Sequence, residues 1–263
     1  MGEILELGES EFQLEAVIAA STSNVVYRGK GGRGLPVAVK IPKNEEARQR
    51  QQWDAYWTER FEHENLTSYV TSGVGRLGRA STHALVSIDA GPNLLQHGPL
   101  GLSEAVLMAS QIAEALDYVH DEEVVHRKVT PHNIMSVDGK RWQLGNFGVA
   151  TSITNAQRTA PSTDPYVAPE TYQNGATPRS DVYSLALSTW TAIQPENGQE
   201  LPQTEAHEAV SQVIYYATHE DPTMRPPTAG YFARGLLEEY MAGLERCIQR
   251  ASRRATDLAA QKY

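Results

Sequence analysis

A glycine-rich basic segment and the lysine that follows it are the first residues of this sequence whose types could do chemistry. Residues 29–34 read GKGGRG and fit G-x-G-x-x-G, a pattern whose backbone N–H groups cradle phosphates when it opens a helix. Here the segment leads into PVAVK at 36–40, which alternates as a strand does, so we predict a turn between two strands. Lys40 ends that strand, where a lysine either binds an anion or extends into solvent.

The elements that would position these residues change character near residue 90. Before it, short β-branched runs alternate with clusters of Gly and Ser, a pattern typical of strands. This pattern predicts a polar helix at about 45–60 and four strands, at 12–18, 24–27, 36–41 and 84–88. Residues 91–101 are rich in Gly and Pro and predict a boundary.

Beyond residue 101 the sequence becomes helical in character. Apolar residues recur every three or four positions, as on the buried face of a helix. The pattern predicts one helix with Ser103 as its N-cap, a second with Ser180 or Asp181 as its N-cap, and a third from Phe232 to Ile248. A strand-rich part followed by a helix-rich part predicts an α+β fold.

Five segments downstream of Lys40 carry a resemblance to a known family. They are HRKVTPHN at 126–133, LGNFG at 144–148, APE at 168–170, DVYS at 181–184 and DPTMRP at 221–226. Together with VAVK at 37–40, they resemble the motifs of eukaryotic-like Ser/Thr protein kinases over about residues 12–238. The resemblance implies a two-lobed fold with a β-rich N-lobe at 1–90, a helical C-lobe at 91–238 and a helical extension with a basic cluster at 239–263.

The resemblance also implies a nucleotide site. Lys40 would pair with the ATP phosphates, and Asp54 stands where the family has the glutamate of its helix C. Because Asp54 is one methylene shorter than glutamate, Glu59 is the alternative partner of Lys40. The other implied nucleotide-binding positions are the gatekeeper Ser87, the hinge residues Ile88 and Ala90, and Asn133 and Asn146. Three further matches, Glu170, Asp181 and Arg225, are structural landmarks of the C-lobe.

Several positions depart from the family where phosphoryl transfer needs specific chemistry. Lys128 stands at the catalytic aspartate, Thr130 at a phosphate-contacting lysine, and Asn146 at the metal-binding aspartate. The phosphate loop should lie about twenty residues before Lys40. In that segment, residues 18–27, the family's three glycines are replaced by Ala19, Ser21 and Asn24. These changes predict a chain without catalytic residues or a metal.

The expected function is therefore that of a pseudokinase, a protein-binding or allosteric signalling module and not an enzyme. The alternatives are a metal-independent nucleotide-sensing domain and a weak, unconventional Ser/Thr kinase. We expect no cofactor, and any ATP binding should be weak and independent of divalent metal. Within the segment 146–170, a polar loop by composition, the candidate phosphorylation sites are Thr159, Ser162 and Thr163.

Composition and charge limit the classes of partner and the compartment that we expect for this chain. The 263 residues carry a net charge of −9, and residues 245–263 alone carry +3, which argues against nucleic-acid binding by the main body. The single cysteine, Cys247, excludes an intramolecular disulfide and suits a reducing compartment. We expect a cytoplasmic protein, or the cytosolic domain of a larger membrane protein, with a basic cluster placed near the membrane by sequence beyond residue 263. Its partner would be a protein, either an active kinase or a phosphopeptide-binding protein.

Overall fold

Strands dominate the chain up to residue 88 and helices dominate it after residue 101. The structure is a computed structural model that describes residues 3–155, 164–194, 202 and 204–260. The fold is mixed α+β, as predicted. The first part consists of β1 (Ile4–Leu7), β2 (Ser10–Ala20), β3 (Asn24–Lys30), β4 (Pro36–Pro42), helix α1 (Glu45–Thr58), β5 (Tyr69–Leu77) and β6 (Ala80–Ile88).

The six strands form one closed antiparallel sheet in the order β1-β2-β3-β4-β6-β5. Leu5 of β1 lies opposite Leu77 of β5, and this pairing completes the barrel. A Cβ at Gly75 would meet the carbonyl oxygen of Glu6, so glycine permits the close approach of β5 to β1. The interior is filled by alternating apolar residues of the strands, namely Leu5, Leu7, Phe12, Leu14, Val37, Val39, Ala84 and Val86.

The glycine-rich segment forms a single 3₁₀ turn, Gly32–Gly34, between β3 and β4. The prediction of a turn between strands is therefore confirmed. Helix α1 begins after Asn44, whose side chain accepts the backbone N–H of Ala47 at 2.9 Å. Glu45 and Glu46 lie in its first turn, where negative charge is favourable.

The second part is built from helices and short strand pairs. The helices are α2 (Leu94–His97), α3 (Leu102–Asp121), α4 (Thr171–Asn174), α5 (Pro178–Ile193), α6 (Glu205–Ala217) and α7 (Ala229–Ala260). The short strands are β7 (Val124–Val125), β8 (Ile134–Ser136), β9 (Trp142–Leu144) and β10 (Thr151–Ser152). The core of this part contains α3, α5 and α7, which contribute the fully buried Met108, Ile112, Leu116, Leu185, Phe232 and Leu236.

Two predicted N-caps are wrong by two to four residues. Helix α3 begins at Leu102, and Glu104 reaches back to accept the N–H of Gly101 at 2.8 Å, so Gly101 and not Ser103 is the N-cap. Helix α5 begins at Pro178 with Thr177 as its N-cap, since proline is preorganised for the first helical turn. Among the helices described, none combines the length and the apolar composition that a membrane crossing requires.

Candidate active site

A cavity of about 440 Å³ lies between the barrel and the helical part. Its barrel side is largely apolar and includes Ile18, Ala19, Val26, Ala38 and Leu85. Its opposite side includes Met135, Gly145 and two asparagines, Asn133 and Asn146. The end of β6 and the connection that follows it form the edge of the cavity, with Ser87, Ile88 and Ala90 among the lining residues.

Lys40 and Asp54 meet at the wall of this cavity. Strand β4 positions Lys40 between its register partners Val26 and Leu85, and helix α1 brings Asp54 against it. The Nζ–Oδ2 distance is 2.8 Å, and the Asp54 side chain is only 4% exposed. The shorter aspartate therefore reaches Lys40. The alternative partner, Glu59, follows the end of α1 and lines a different cavity.

A continuous chain of hydrogen bonds extends from this ion pair to the segment around residue 128. Lys40 Nζ also donates to Asn146 Oδ1 at 3.1 Å. Asn146 Nδ2 donates to Asn133 Oδ1 at 3.0 Å, and Asn133 Nδ2 donates to the backbone oxygen of Lys128 at 2.8 Å. Asn146 has a φ of 72°, a left-handed conformation that asparagine tolerates better than most residues.

These residues do not fit a divalent metal ion. The side-chain oxygens of Asn133 and Asn146 already accept hydrogen bonds, and the carboxylate of Asp54 binds Lys40 and the backbone N–H of Phe147. Mg²⁺ prefers carboxylate and phosphate oxygens in a near-octahedral arrangement. Within the part of the chain that the structure describes, no cluster of three or more His, Cys, Asp or Glu residues could hold a metal.

The segment at 126–130 is fixed by the buried carboxylate of Asp181. Asp181 accepts the backbone N–H groups of His126 and Arg127, each at 2.8 Å. The Lys128 side chain is exposed, but partial desolvation by neighbouring protein atoms lowers the pKa of its ammonium below its ordinary value, and the nearby charges of Lys40 and Arg50 lower it further. Thr130 is buried, and its carbonyl oxygen accepts the N–H of Asn133 at 2.9 Å.

The remaining predicted residues lie outside this cavity. Arg225 binds both carboxylate oxygens of Glu170 at 2.8 Å, and burial of the pair suits its predicted structural role. Thr159, Ser162 and Thr163 lie outside the described residues.

The predicted remnant of the phosphate loop is a tight turn at residues 21–24. Ser21 Oγ accepts the backbone N–H of Asn24 at 3.0 Å, and Lys43 Nζ donates to the carbonyl oxygen of Ser21 at 2.5 Å. Just before the turn, Ala19 lines the cavity. The turn therefore uses a backbone N–H group for its own hydrogen bond, whereas a phosphate cradle would leave such groups free to bind the phosphate.

Two hydrogen bonds near the site were not predicted from the sequence. Arg28 Nε donates to Asp89 Oδ2 at 2.7 Å across the mouth of the cavity. Trp53 Nε1 donates to the carbonyl oxygen of Ala150 at 2.6 Å. Each contact joins residues more than sixty positions apart. Only the arrangement of the elements brings these partners together.

Comparison with known proteins places this site in a family. Residues 12–259 match the family described as "Protein kinase domain". The serine/threonine-protein kinase PknA of Mycobacterium tuberculosis is 30% identical over 199 residues, which cover 69% of this chain and 46% of that protein. The serine/threonine-protein kinase PknL of the same organism is 29% identical over 197 residues, which cover 70% of this chain and 49% of that protein.

A similar relationship holds for a nematode protein. The probable serine/threonine-protein kinase zyg-1 of Caenorhabditis elegans is 27% identical over 188 residues, which cover 66% of this chain and 26% of that protein. The chain thus matches between about a quarter and a half of the length of these curated relatives.

The prediction that the chain is a pseudokinase and not an enzyme is wrong. It rested on the residue types at Lys128, Thr130 and Asn146, but the kinase domain is present and the relatives are named Ser/Thr protein kinases. The structure also removes one doubt about the site, because the Lys40–Asp54 ion pair forms at 2.8 Å despite the shorter side chain. Nothing in the comparisons supports an inactive or scaffolding role. The chain belongs to the protein kinase domain family.

Proposed function

We propose that this chain is an unconventional Ser/Thr protein kinase domain that binds a nucleoside triphosphate through its own side chains, without a divalent cation, and transfers phosphate slowly. The observation that carries the proposal is the position of Lys40. Its ammonium group lies at the wall of the cavity, 2.8 Å from Asp54 and 3.1 Å from Asn146. A cation held in this way is preorganised for a phosphate group.

The cavity suits the base and sugar of a nucleotide. Its volume of about 440 Å³ falls in the range of small-molecule sites, which are mostly apolar with a few placed polar groups. Val26 and Ala38 on one side and Met135 on the other would contact the faces of a flat base. The backbone of residues 88–90, the implied hinge, would contact the edge of the base.

Lys40 would supply the positive charge that a metal gives to other members of the family. Its charge also lowers the pKa of the nearby Lys128. Because the phosphates and Lys40 are partly in contact with water, added salt should weaken the binding. The asparagines contribute no negative charge, so a divalent cation should add little to the affinity.

Transfer would move the terminal phosphoryl group to a Ser or Thr hydroxyl. The new P–O bond forms as the bond to the nucleoside diphosphate breaks, and the hydroxyl proton must leave. The resemblance assigns the base position to Lys128. To accept this proton, Lys128 must be the neutral amine, a form that partial desolvation and the charges of Lys40 and Arg50 favour by lowering its pKa.

The test compares Lys40→Ala with Lys30→Ala in binding and transfer assays. Lys30 is a matched control, since it lies on the neighbouring strand, is 55% exposed and pairs with Glu15. We expect the wild type and Lys30→Ala to bind ATP equally in EDTA and in Mg²⁺. Lys40→Ala should weaken ATP binding at least tenfold, the factor for about 1.4 kcal/mol. Calorimetry measures the affinity, and phosphate incorporation into a Ser/Thr peptide measures transfer.

Three results would each overturn part of the proposal. Binding seen only with Mg²⁺ would show that a metal is required. Equal binding by the wild type and Lys40→Ala would remove Lys40 from the site. No phosphate incorporation by wild-type protein over a pH series from 7 to 9 would remove the transfer step and leave nucleotide binding alone.

The arrangement and partners of the domain are proposals as well. We infer that the barrel with α1 is the N-lobe, at about 1–90, that the C-lobe spans 91–238, and that residues 239–263 form a helical extension. The peptide substrates and a regulatory protein partner belong to the same proposal, because the chain covers only part of its relatives' length.

A further inference from the structure

Helix α1 contacts residues 147–150 through three neighbouring points. Asp54 Oδ1 accepts the backbone N–H of Phe147 at 2.7 Å, and Trp53 Nε1 donates to the carbonyl oxygen of Ala150 at 2.6 Å. The third point is the backbone oxygen of Arg50, since a Cβ placed on Gly148 would lie 3.0 Å from it. These contacts fix the distance between the helix and this segment.

Trp53 is not held there by burial. The residue is 43% exposed, its ring stacks on Tyr56 with 5.2 Å between centroids, and it meets Trp57 edge-on at 5.6 Å. An indole can remain in such an aromatic cluster whether or not its N–H has a partner. The hydrogen bond to Ala150 is thus a separate feature, and it joins α1 to a residue 97 positions away.

The same helix holds the partner of the phosphate-binding lysine. Asp54, next to Trp53, binds Lys40 with one carboxylate oxygen and Phe147 with the other. A small rotation of α1 about its axis would move Trp53 away from Ala150 and Asp54 away from Lys40 together. The carbonyl oxygen of Ala150 therefore limits the positions that Asp54 can take.

We propose that Trp53 is a positioning residue for nucleotide binding and acts through Asp54 on Lys40. Its indole N–H ties α1 to residue 150, so that the carboxylate of Asp54 stays within hydrogen-bond distance of both Lys40 and Phe147. This inference rests on the proposed nucleotide site. It assigns the effect of Trp53 on nucleotide binding to its N–H donor and not to the bulk of its ring.

Trp57 supplies a matched control on the same helix. Its ring belongs to the same aromatic cluster, but its buried Nε1 donates to no partner among the described residues. Trp53→Phe and Trp57→Phe both remove one indole N–H and retain an aromatic ring. Only the first removes a hydrogen bond to the segment at 147–150.

The first measurement is ATP affinity by calorimetry, with melting temperatures in parallel. A net hydrogen bond corresponds to roughly a threefold to tenfold change in an equilibrium constant. We expect Trp53→Phe to weaken ATP binding by about that factor and Trp57→Phe to leave it unchanged. In an Asp54→Asn background, Trp53→Phe should cause little further loss, because the two changes act through one contact.

The second measurement needs no nucleotide. Hydrogen–deuterium exchange at the Phe147 amide reports the Asp54–Phe147 hydrogen bond directly. Trp53→Phe should accelerate this exchange, and Trp57→Phe should not. Equal exchange in the two variants would overturn the inference, as would a full effect of Trp53→Phe on affinity in the Asp54→Asn background. A wild type that binds no ATP but shows the expected exchange difference would refute the nucleotide site and retain the tie between α1 and residue 150.

Discussion

Asn146 uses both ends of its carboxamide, which distinguishes it from a carboxylate at the same place. Its oxygen accepts from Lys40 at 3.1 Å and its nitrogen donates to Asn133 Oδ1 at 3.0 Å. An aspartate would retain the first bond and lose the second, because it has no N–H to donate. It would also release Asn133 Oδ1 and add a negative charge. The identity of this one side chain thus determines whether the cavity attracts a divalent cation.

Asn146→Asp should therefore make nucleotide binding depend on Mg²⁺. One added carboxylate contributes at least about 1 kcal/mol of Coulombic attraction to the ion, so we expect Mg²⁺ to tighten ATP binding several-fold in this variant. Calorimetric titrations with EDTA and with Mg²⁺ measure the effect. Gln52→Glu, an exposed change on α1 with the same added charge, is the control. A metal response of equal size in both variants would contradict the prediction.

His126 is buried as a neutral ring with both nitrogens engaged. Nδ1 accepts the backbone N–H of Lys128 and Nε2 donates to the carbonyl oxygen of Gly145, each at 3.2 Å. Burial lowers the pKa of His126. Below a pH of about 6.5 the unfolded chain therefore binds a proton that the folded protein does not, and the free energy of unfolding falls as the pH falls.

The free energy of unfolding should fall by up to about 1.4 kcal/mol per pH unit below pH 6.5 because of His126. Urea unfolding at pH 7.5 and 5.5 measures it, and His126→Gln should reduce the difference between the two values. His132→Gln, at an exposed position, serves as the control. If both variants show the same dependence on pH as the wild type, His126 is not its source.

Asp54 illustrates which part of the site could be predicted from sequence. The family resemblance located Lys40, Asp54, Asn133 and Asn146, and the structure brings all four together at one cavity. Spacing could not show whether Asp54 reaches Lys40, because that depends on how closely α1 approaches β4. The backbone N–H of Phe147 provides a second partner for the carboxylate, and a backbone group leaves no signal in residue types.

Four of the six strands of the barrel could be predicted from the sequence pattern. The four predicted strands correspond to β2, β3, β4 and β6, whereas β1 and β5 were missed. β1 has only four residues, and β5 reads YVTSGVGRL, in which two glycines interrupt the pattern. Glycine is unfavourable in strands, but Gly75 is needed where β5 approaches β1. Tertiary packing here overrides local preference.

Gly91, in the connection after β6, should tolerate no side chain. Its φ is +83°, and a Cβ there would lie 2.5 Å from the carbonyl oxygen of Ser136. Gly78, in the turn between β5 and β6, has a φ of +59° and open space around it. Gly78→Ala should cost about 1–2 kcal/mol of stability through backbone strain alone, whereas Gly91→Ala should cost about 2–5 kcal/mol, because overpacking adds to the strain.

Urea unfolding of the two variants separates the two contributions. Gly91 also lines the cavity, so ATP affinity should fall in Gly91→Ala and stay unchanged in Gly78→Ala. Equal losses of stability would mean that the connection moves aside without cost.

The protein extends past its core along α7, a single helix from Ala229 to Ala260. Phe232 and Leu236 are fully buried, but beyond residue 243 the described side chains are half-buried or exposed. Arg246 and Arg250 bind Glu205 of α6. Exposed ion pairs of this kind contribute about 0–1 kcal/mol each.

Truncation after residue 243 should leave the fold intact and lower the melting temperature by only about 2–4 °C. Glu205→Gln in the full chain should reproduce much of this shift, because it removes the shared partner of both arginines. Differential scanning calorimetry on the two proteins makes the comparison. A loss of cooperative unfolding on truncation would show instead that the end of α7 belongs to the core.

The closed sheet limits how other chains can be recruited. A peptide that binds by strand addition needs a row of unpaired backbone N–H and C=O groups at a sheet edge. In the barrel, β1 closes only one end of this edge, because it pairs with residues 10–13 of β2 and with Arg76 and Leu77 of β5. At that end the closure protects the barrel from edge-to-edge aggregation. The rest of β2 and β5 has a neighbour on one side only, so a peptide that adds a strand to the barrel is limited to these stretches, and a protein that binds elsewhere on the barrel must recognise side chains.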